Sequence, residues 1–168
     1  MGEPHYDKVS DDVRLQQLLA AAVESVGGGE GSLLLVNPDG DKLRFVISHS
    51  PVADKLVGTE QDLTEGITGL AVALQQPMIV NDVASDPRHN SAVDDMTTVQ
   101  TKSIMVVPLV SPEAEFGALT AINSKAATGF SSADLQSFCE ASEGVLARLV
   151  ELGFDPEPDE PEADVGDS

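Results

Sequence analysis

The stretch from Asp62 to Asn123 constrains the fold more than any other part of the chain. Its second half holds two strongly apolar runs, Ser103–Val110 and Glu115–Asn123, joined across Ser111-Pro112-Glu113. Two such runs separated by a turn read as a β-hairpin. Ahead of them, Gly66-Ile-Thr68-Gly69 opens a short apolar segment to Gln75 that reads as a helix, and Pro77 forbids its continuation. Met78–Val80 then reads as a short strand, with Asp82 placed to cap the turn after it. Asp86-Pro87 marks a second turn, and residues 90–99 read as loosely helical. Small residues around Gly66–Gly69 allow a close backbone approach, to the sheet or to a ligand.

The flanking segments complete the layer pattern. Residues 1–8 read as frayed. Ser10 is placed to cap a helix in which Val13, Leu15, Leu18, Leu19, Ala22, Val23 and Val26 recur at helical spacing. The cluster Gly27-Gly-Gly-Glu-Gly31 follows that helix and precedes Leu33–Val36, a short buried-type strand. A phosphate-binding loop has the opposite order, strand before helix, so the cluster reads as a plain turn. Asn37-Pro-Asp-Gly40 is a turn, and Leu43, Phe45 and Ile47 alternate along a partner strand. Residues 49–58 read as irregular and Thr59–Leu63 as a weak strand. Phe130-Ser131-Ser-Ala-Asp134-Leu135 carries a capping box and a staple for the last helix, which Gly153 and Pro156 end. The expected organisation is one α+β domain over residues 9–154, with a central antiparallel sheet and a disordered acidic tail over 155–168.

Charge and composition narrow the function classes. The formal net charge is −20 over 168 residues, and seven of the 29 acidic residues lie in the last fourteen positions, leaving 22 acids against nine bases before them. Such a field disfavours nucleic acid and anionic membranes. No run approaches the roughly 18 apolar residues of a membrane span. The N-terminus has no apolar signal region, and position 6 is Tyr where a myristoylation signal has Ser or Thr, so a cytoplasmic location is expected. A single cysteine, Cys139, allows neither an internal disulfide nor a thiolate metal cage.

Six pieces of this sequence resemble the GAF domain family, in the family's order. They are Leu63-x-x-Gly66-x-x-Gly69-x-Ala71, Pro77-Met-Ile-Val-x-Asp82, Asp86-Pro87-Arg88, Ser103-x-x-x-x-Pro108-Leu109, Gly117-x-Leu119-x-x-x-Asn123 and Phe130-x-x-x-Asp134-Leu135. The resemblance covers about residues 10–152. It implies a GAF/PAS-like sheet of about six strands with the terminal helices packed on one face. On the other face the Gly66–Leu74 helix and residues 86–102 are expected to close a small-molecule pocket. Such domains are mostly sensory; some bind cyclic nucleotides, some hold bilin or haem, and some reduce free methionine sulfoxide.

The residues weigh against most of these chemistries. Cys139 lies on the core-facing stripe of the last helix, unsuited to bilin attachment, and one cysteine cannot both attack and resolve in sulfoxide reduction. Haem needs an axial ligand, for which only His5, His49 and His89 exist, none in a ligand motif. Asp86, His89, Asp94 and Asp95 match no metal-ligand spacing. A loose nucleotide signature of Asn123, Lys125, Phe130 and Asp134 is split by Ser124 and lacks its final acid at Leu135, and Phe45 and Phe116 are the only aromatics able to stack a purine. Ser103 with His89 lacks an orienting acid, so no catalysis, metal or cofactor is expected. The expected ligand-binding residues are Phe45, Gly66, Thr68, Gly69, Asp82, His89, Ser103 and Met105. The reading is a stand-alone sensory module whose unidentified small-molecule ligand acts through the terminal helices on a separate signalling protein, with a homodimer formed by those helices. The alternative is an interaction module with an unused pocket.

Overall fold

A computed structural model describes residues 6–63, 66–83, 101–111 and 115–154. Its centre is a six-stranded antiparallel sheet in the order β3-β2-β1-β6-β5-β4. The strands are β1 (Gly28–Val36), β2 (Lys42–His49), β3 (Glu60–Asp62), β4 (Met78–Val80), β5 (Ile104–Val110) and β6 (Glu115–Ser124). The two apolar runs that dominate the sequence are β5 and β6, paired from Ile104↔Ile122 to Val110↔Glu115. β6 also pairs with β1, which places the most hydrophobic backbone in the middle of the sheet, where both faces are covered.

One face carries the terminal helices, α1 (Tyr6–Ser10), α2 (Val13–Ser25) and α5 (Ser132–Glu151). Leu15, Leu19 and Val23 of α2 and Phe138, Val145 and Leu149 of α5 are buried against Leu33, Leu35, Met105, Val107 and Leu119 of the sheet. Each such side chain contributes roughly 1.5–3 kcal/mol of burial. α5 begins in a complete capping box: Ser131 Oγ accepts from Asp134 N and Asp134 Oδ2 accepts from Ser131 N. The opposite face carries α3 (Ala53–Leu56) and α4 (Gly66–Leu74), packed on a second cluster that includes Leu34, Leu43, Phe45, Val106 and Ala118.

Four local expectations are corrected. Residues 6–8 are helical rather than frayed, because Tyr6 is buried against Phe154 with ring centroids 6.0 Å apart and beneath the Arg44 guanidinium. The cap of α2 is Asp12, not Ser10, which ends α1; Asp12 Oδ2 accepts from Leu15 N at 2.8 Å. The glycine cluster is a turn only at Gly27, with φ +68°, while Gly28–Gly31 belong to β1. A Cβ on Gly31 would collide with the Val23 side chain and the Thr120 carbonyl, so glycine lets α2 lie directly on the strand. Residues 53–56, within a segment read as irregular, form α3. The expected helical segment at 90–99, most of the β5–β6 turn and the acidic tail lie outside the described residues.

Candidate functional site

Between α3, α4 and the sheet lies a cavity with about 700 Å³ of empty space, its mouth included. Its floor is laid down by strand register. On β1, alternation sends Glu30, Ser32 and Leu34 to this face, and the cross-strand partners of Glu30 and Ser32 on β6, Ile122 and Thr120, also line the cavity.

β2 follows suit only because of a bulge. Leu33 pairs with Ile47 and Leu34 with Phe45, leaving Val46 unopposed. The strand is thereby re-phased. Phe45 faces the cavity, Val46 and Ile47 both join the helix-side core, and Ser48, paired with Ser32, returns to the cavity. The alternation expected for Leu43, Phe45 and Ile47 therefore breaks after Phe45, and Ser48 is a lining residue that strict alternation misses.

The result is a floor with two kinds of surface. Ser48, Ser32 and Thr120 form a row of hydroxyls across β2, β1 and β6. Ser32 Oγ and Ser48 Oγ are 2.8 Å apart, and Thr120 Oγ1 accepts from Ser32 N at 3.2 Å. Glu30 lies at one end, where its carboxylate accepts from Ser50 Oγ. Apolar walls come from Leu34, Phe45, Leu56, Ile67, Val83 and Ile104. The roof is the first turn of α4, where Gly66, at φ +76°, and Thr68 line the space. Thr68 is 8% exposed, and its hydroxyl has no hydrogen-bond partner among the described residues.

The structure brings together three of the expected binding residues, Phe45, Gly66 and Thr68. Gly69 does not line the cavity: a Cβ there would stand 2.5 Å from the Leu63 carbonyl, so its role is the close approach of α4 to the end of β3. Asp82 is exposed and away from the lining. Met105 is a correction. It is fully buried in the helix-side core, because β5 alternation turns Ile104 and Val106 to the face that bears the cavity and Met105 and Val107 away from it. Ser103 is a second correction; its hydroxyl accepts from Ser124 N at 2.9 Å and ties the ends of β5 and β6 together. His89 lies outside the described residues, as does most of the expected lid. Glu30, Ser32, Ser48, Ser50 and Thr120 are lining residues that sequence reasoning missed; only the strand register reveals them.

Apart from Glu30 in the lining, the cysteine and the histidine among the described residues lie elsewhere. Cys139 is half-buried on α5, across the sheet from the cavity, and its thiol is pushed up by burial and then by Glu143 and Glu140. His49 ends β2, with Nε2 3.5 Å from Glu24 Oε2. Among the described residues no three metal-binding side chains cluster, and no helix is long and apolar enough to cross a membrane.

A continuous tie runs from the cavity wall to α5. Val83 lines the cavity, and two residues before it Asn81 makes paired hydrogen bonds with the backbone of Phe130. Asn81 Nδ2 donates to Phe130 O at 3.0 Å, and Phe130 N donates to Asn81 Oδ1 at 2.9 Å. Gly129, at φ +84°, leaves room for the amide; a Cβ there would strike it.

The same architecture recurs in solved structures. The free methionine-R-sulfoxide reductase of Neisseria meningitidis, solved with its substrate, superposes with a TM-score of 0.67 at 24% identity, over 88% of this chain and 84% of that one. The GAF domain of a phosphoenolpyruvate-protein phosphotransferase from Coxiella burnetii gives a TM-score of 0.70 at 14% identity, over 86% and 88% of the two chains. The second GAF domain of DevS from Mycobacterium smegmatis gives 0.66 at 14% identity, over 83% and 92%. At these identities the likeness is one of fold. The GAF domain model matches residues 12–146, most of the chain, and the protein belongs to the GAF domain family.

Proposed function

We propose that this chain is a sensory module in which a small organic ligand occupies the cavity beneath α4 and biases the terminal helices toward or away from a separate signalling partner. The observation that carries this reading is the pairing of a two-sided cavity with a physical route out of it. The lining joins apolar walls to a hydroxyl row and one carboxylate, the composition of a recognition site. The Asn81–Phe130 bonds tie its wall to the residue just before the N-cap of α5, a helix on the opposite face of the sheet. A ligand that prefers one position of that wall shifts α5 by its differential affinity for the two states.

The reading is non-catalytic. Two of the similar structures are free methionine-R-sulfoxide reductases, a chemistry that needs a thiolate beside the substrate. The single thiol here sits across the sheet, with its proton held more tightly than usual.

The test compares native and denatured masses of the purified wild type and of Thr68→Trp, which fills the roof of the cavity. The reading expects a bound mass on the wild type, lost on denaturation and absent from Thr68→Trp. Failing a retained ligand, it expects a stabilising compound from a metabolite panel that does not stabilise Thr68→Trp. A cavity that takes up nothing in either assay overturns it.

A second reading, a dimerising interaction module with an unused cavity, is favoured by two exposed valines on the terminal helices, Val13 of α2 at 61% and Val150 of α5 at 59%. It expects a dimer in sedimentation that Val150→Glu dissociates. A dimer untouched by Val13→Glu and Val150→Glu removes the terminal helices as its interface.

A further inference from the structure

The hydrogen bonding and the charge of the cavity floor bear on the class of ligand. Ser48 Oγ lies 2.8 Å from Ser32 Oγ, a pair in which either oxygen can donate, and 3.4 Å from Gly31 O. Thr120 Oγ1 donates to Ser32 O at 3.4 Å while accepting from Ser32 N. Ser50 Oγ donates to Glu30 Oε1 while accepting from Val52 N at 3.1 Å. The floor hydroxyls are thus engaged with one another and with the strand backbone. What remains on offer is the rest of the Glu30 carboxylate, which Ser50 alone partners among the described residues, the hydroxyl oxygen of Ser32 as an acceptor, and the Thr68 hydroxyl in the roof.

The charges agree. Among the described lining residues Glu30 is the only ionisable group, with no lysine or arginine beside it. The chain as a whole carries a formal −20. A half-buried carboxylate without a cation gains most from a partner that brings both a positive charge and several N–H donors. An anionic ligand meets the opposite conditions.

We propose that the cavity recognises an organic ammonium, its N–H groups donated to Glu30 and Ser32 and its apolar body laid along Leu34, Phe45 and Ile104. This rests on the ligand-sensor reading and names the chemical class of the ligand. Seated this way, the head group lies at the Glu30 end of β1 and the tail runs along the strand toward Leu34, about 13 Å away at four residues.

The probes are three compounds with one tail: hexylammonium, hexanol and hexanoate, titrated against ¹⁵N-labelled protein at 0.5 M salt to suppress loose attraction to the acidic surface. The expected result is saturable shifts at the amides of residues 30–34 and 66–68, with hexylammonium binding at least tenfold more tightly than hexanol and hexanoate weakest. Glu30→Gln, which keeps size and the Ser50 contact, is expected to bring hexylammonium down to the level of hexanol without changing hexanol. Thr68→Trp is expected to abolish cavity shifts for all three. Hexanol binding in the cavity with no ammonium preference, or an ammonium preference that survives Glu30→Gln, overturns this assignment while leaving the sensor reading standing. No cavity shift with any probe counts against both.

Discussion

Asp12 and Arg148 join the beginning of α2 to the end of α5. Arg148 Nη2 donates to Asp12 Oδ1 at 2.8 Å and its Nε to Oδ2 at 3.1 Å, while the same Oδ2 caps α2 through Leu15 N. One carboxylate thus fixes a helix start and clamps the two terminal helices, 136 residues apart in sequence. The Arg148 guanidinium, opposed by partial burial and helped by Leu15 N, holds the Asp12 carboxyl below its usual range.

A folded-state pKa below the unfolded value means that the contribution is complete above the unfolded pKa, about 3.9, and is lost as pH falls through the folded one. Asp12→Ala should cost about 1 kcal/mol for the cap alone, with a further loss for the clamp. Asp12→Asn keeps a good cap and isolates the ion pair. Urea midpoints of wild type and Asp12→Asn should differ by a constant amount from pH 5 to 8 and converge below about pH 4. A difference unchanged at pH 3 would remove the ion pair as its cause.

Gly31 predicts a different kind of loss. Its backbone is ordinary strand, so an added methyl is not strained by φ; it meets the Val23 side chain and the Thr120 carbonyl. Val23 can rotate only against the core, and the carbonyl cannot move without opening the β1–β6 pairing. Gly31→Ala should destabilise by roughly 1–3 kcal/mol, the cost of overpacking. Val23→Ala in the same chain should restore only the side-chain part. Thermal or urea unfolding of the three variants measures this, and a neutral Gly31→Ala would contradict the close seat of α2 on β1.

The layers of this fold are legible in the sequence because they rest on strong local signals. Pro77 stops α4, Ser131 and Asp134 form the capping box, and the apolar runs of β5 and β6 need no tertiary information. The floor of the cavity is not legible, for two physical reasons. Along Ile104–Leu109 both faces of the strand are apolar, so nothing in composition says whether Ile104 or Met105 faces the cavity, and a choice of the wrong phase inverts every side chain. On β2 the bulge at Val46 shifts the phase midway, which only the pairing with β1 reveals. The Asp12 cap was hidden by its neighbours Ser10 and Asp11, which are equally good capping residues; the short helix α1, held by Tyr6 against Phe154, decides between them.

Cys139 should be an unreactive thiol. Burial raises its pKa first, and Glu143 and Glu140 add to the effect. The thiolate fraction at pH 7 is therefore smaller than in a free cysteine. Alkylation by iodoacetamide in the folded protein, followed by mass, should be slower than for a cysteine peptide and should recover in urea. Reduction of free methionine sulfoxide by the wild type with a thiol reductant, lost in Cys139→Ser, would overturn the non-catalytic reading.

Asn81 provides the sharpest separation of stability from signalling. Its amide satisfies both the N–H and the carbonyl of Phe130, and neither backbone group has another partner among the described residues. Asn81→Ala leaves both without their protein partner beside the buried Phe130 ring, a loss of about 1 kcal/mol because Asn81 is exposed and water can reach the freed groups. Asn81→Asp keeps the acceptor for Phe130 N but replaces the donor to Phe130 O with an acceptor, so it repels that carbonyl. Hydrogen exchange at the Phe130 amide should accelerate strongly in Asn81→Ala and little in Asn81→Asp. The cavity lining is untouched by either change, so ligand affinity should stay near that of the wild type. Shifts of α5 amides on ligand addition should shrink in both variants, because the wall of the cavity no longer holds the helix start by two bonds. If those α5 shifts persist at full size in Asn81→Ala, the signal reaches the terminal helices through the sheet, by way of Thr120 and Leu119 of β6, and not through Asn81.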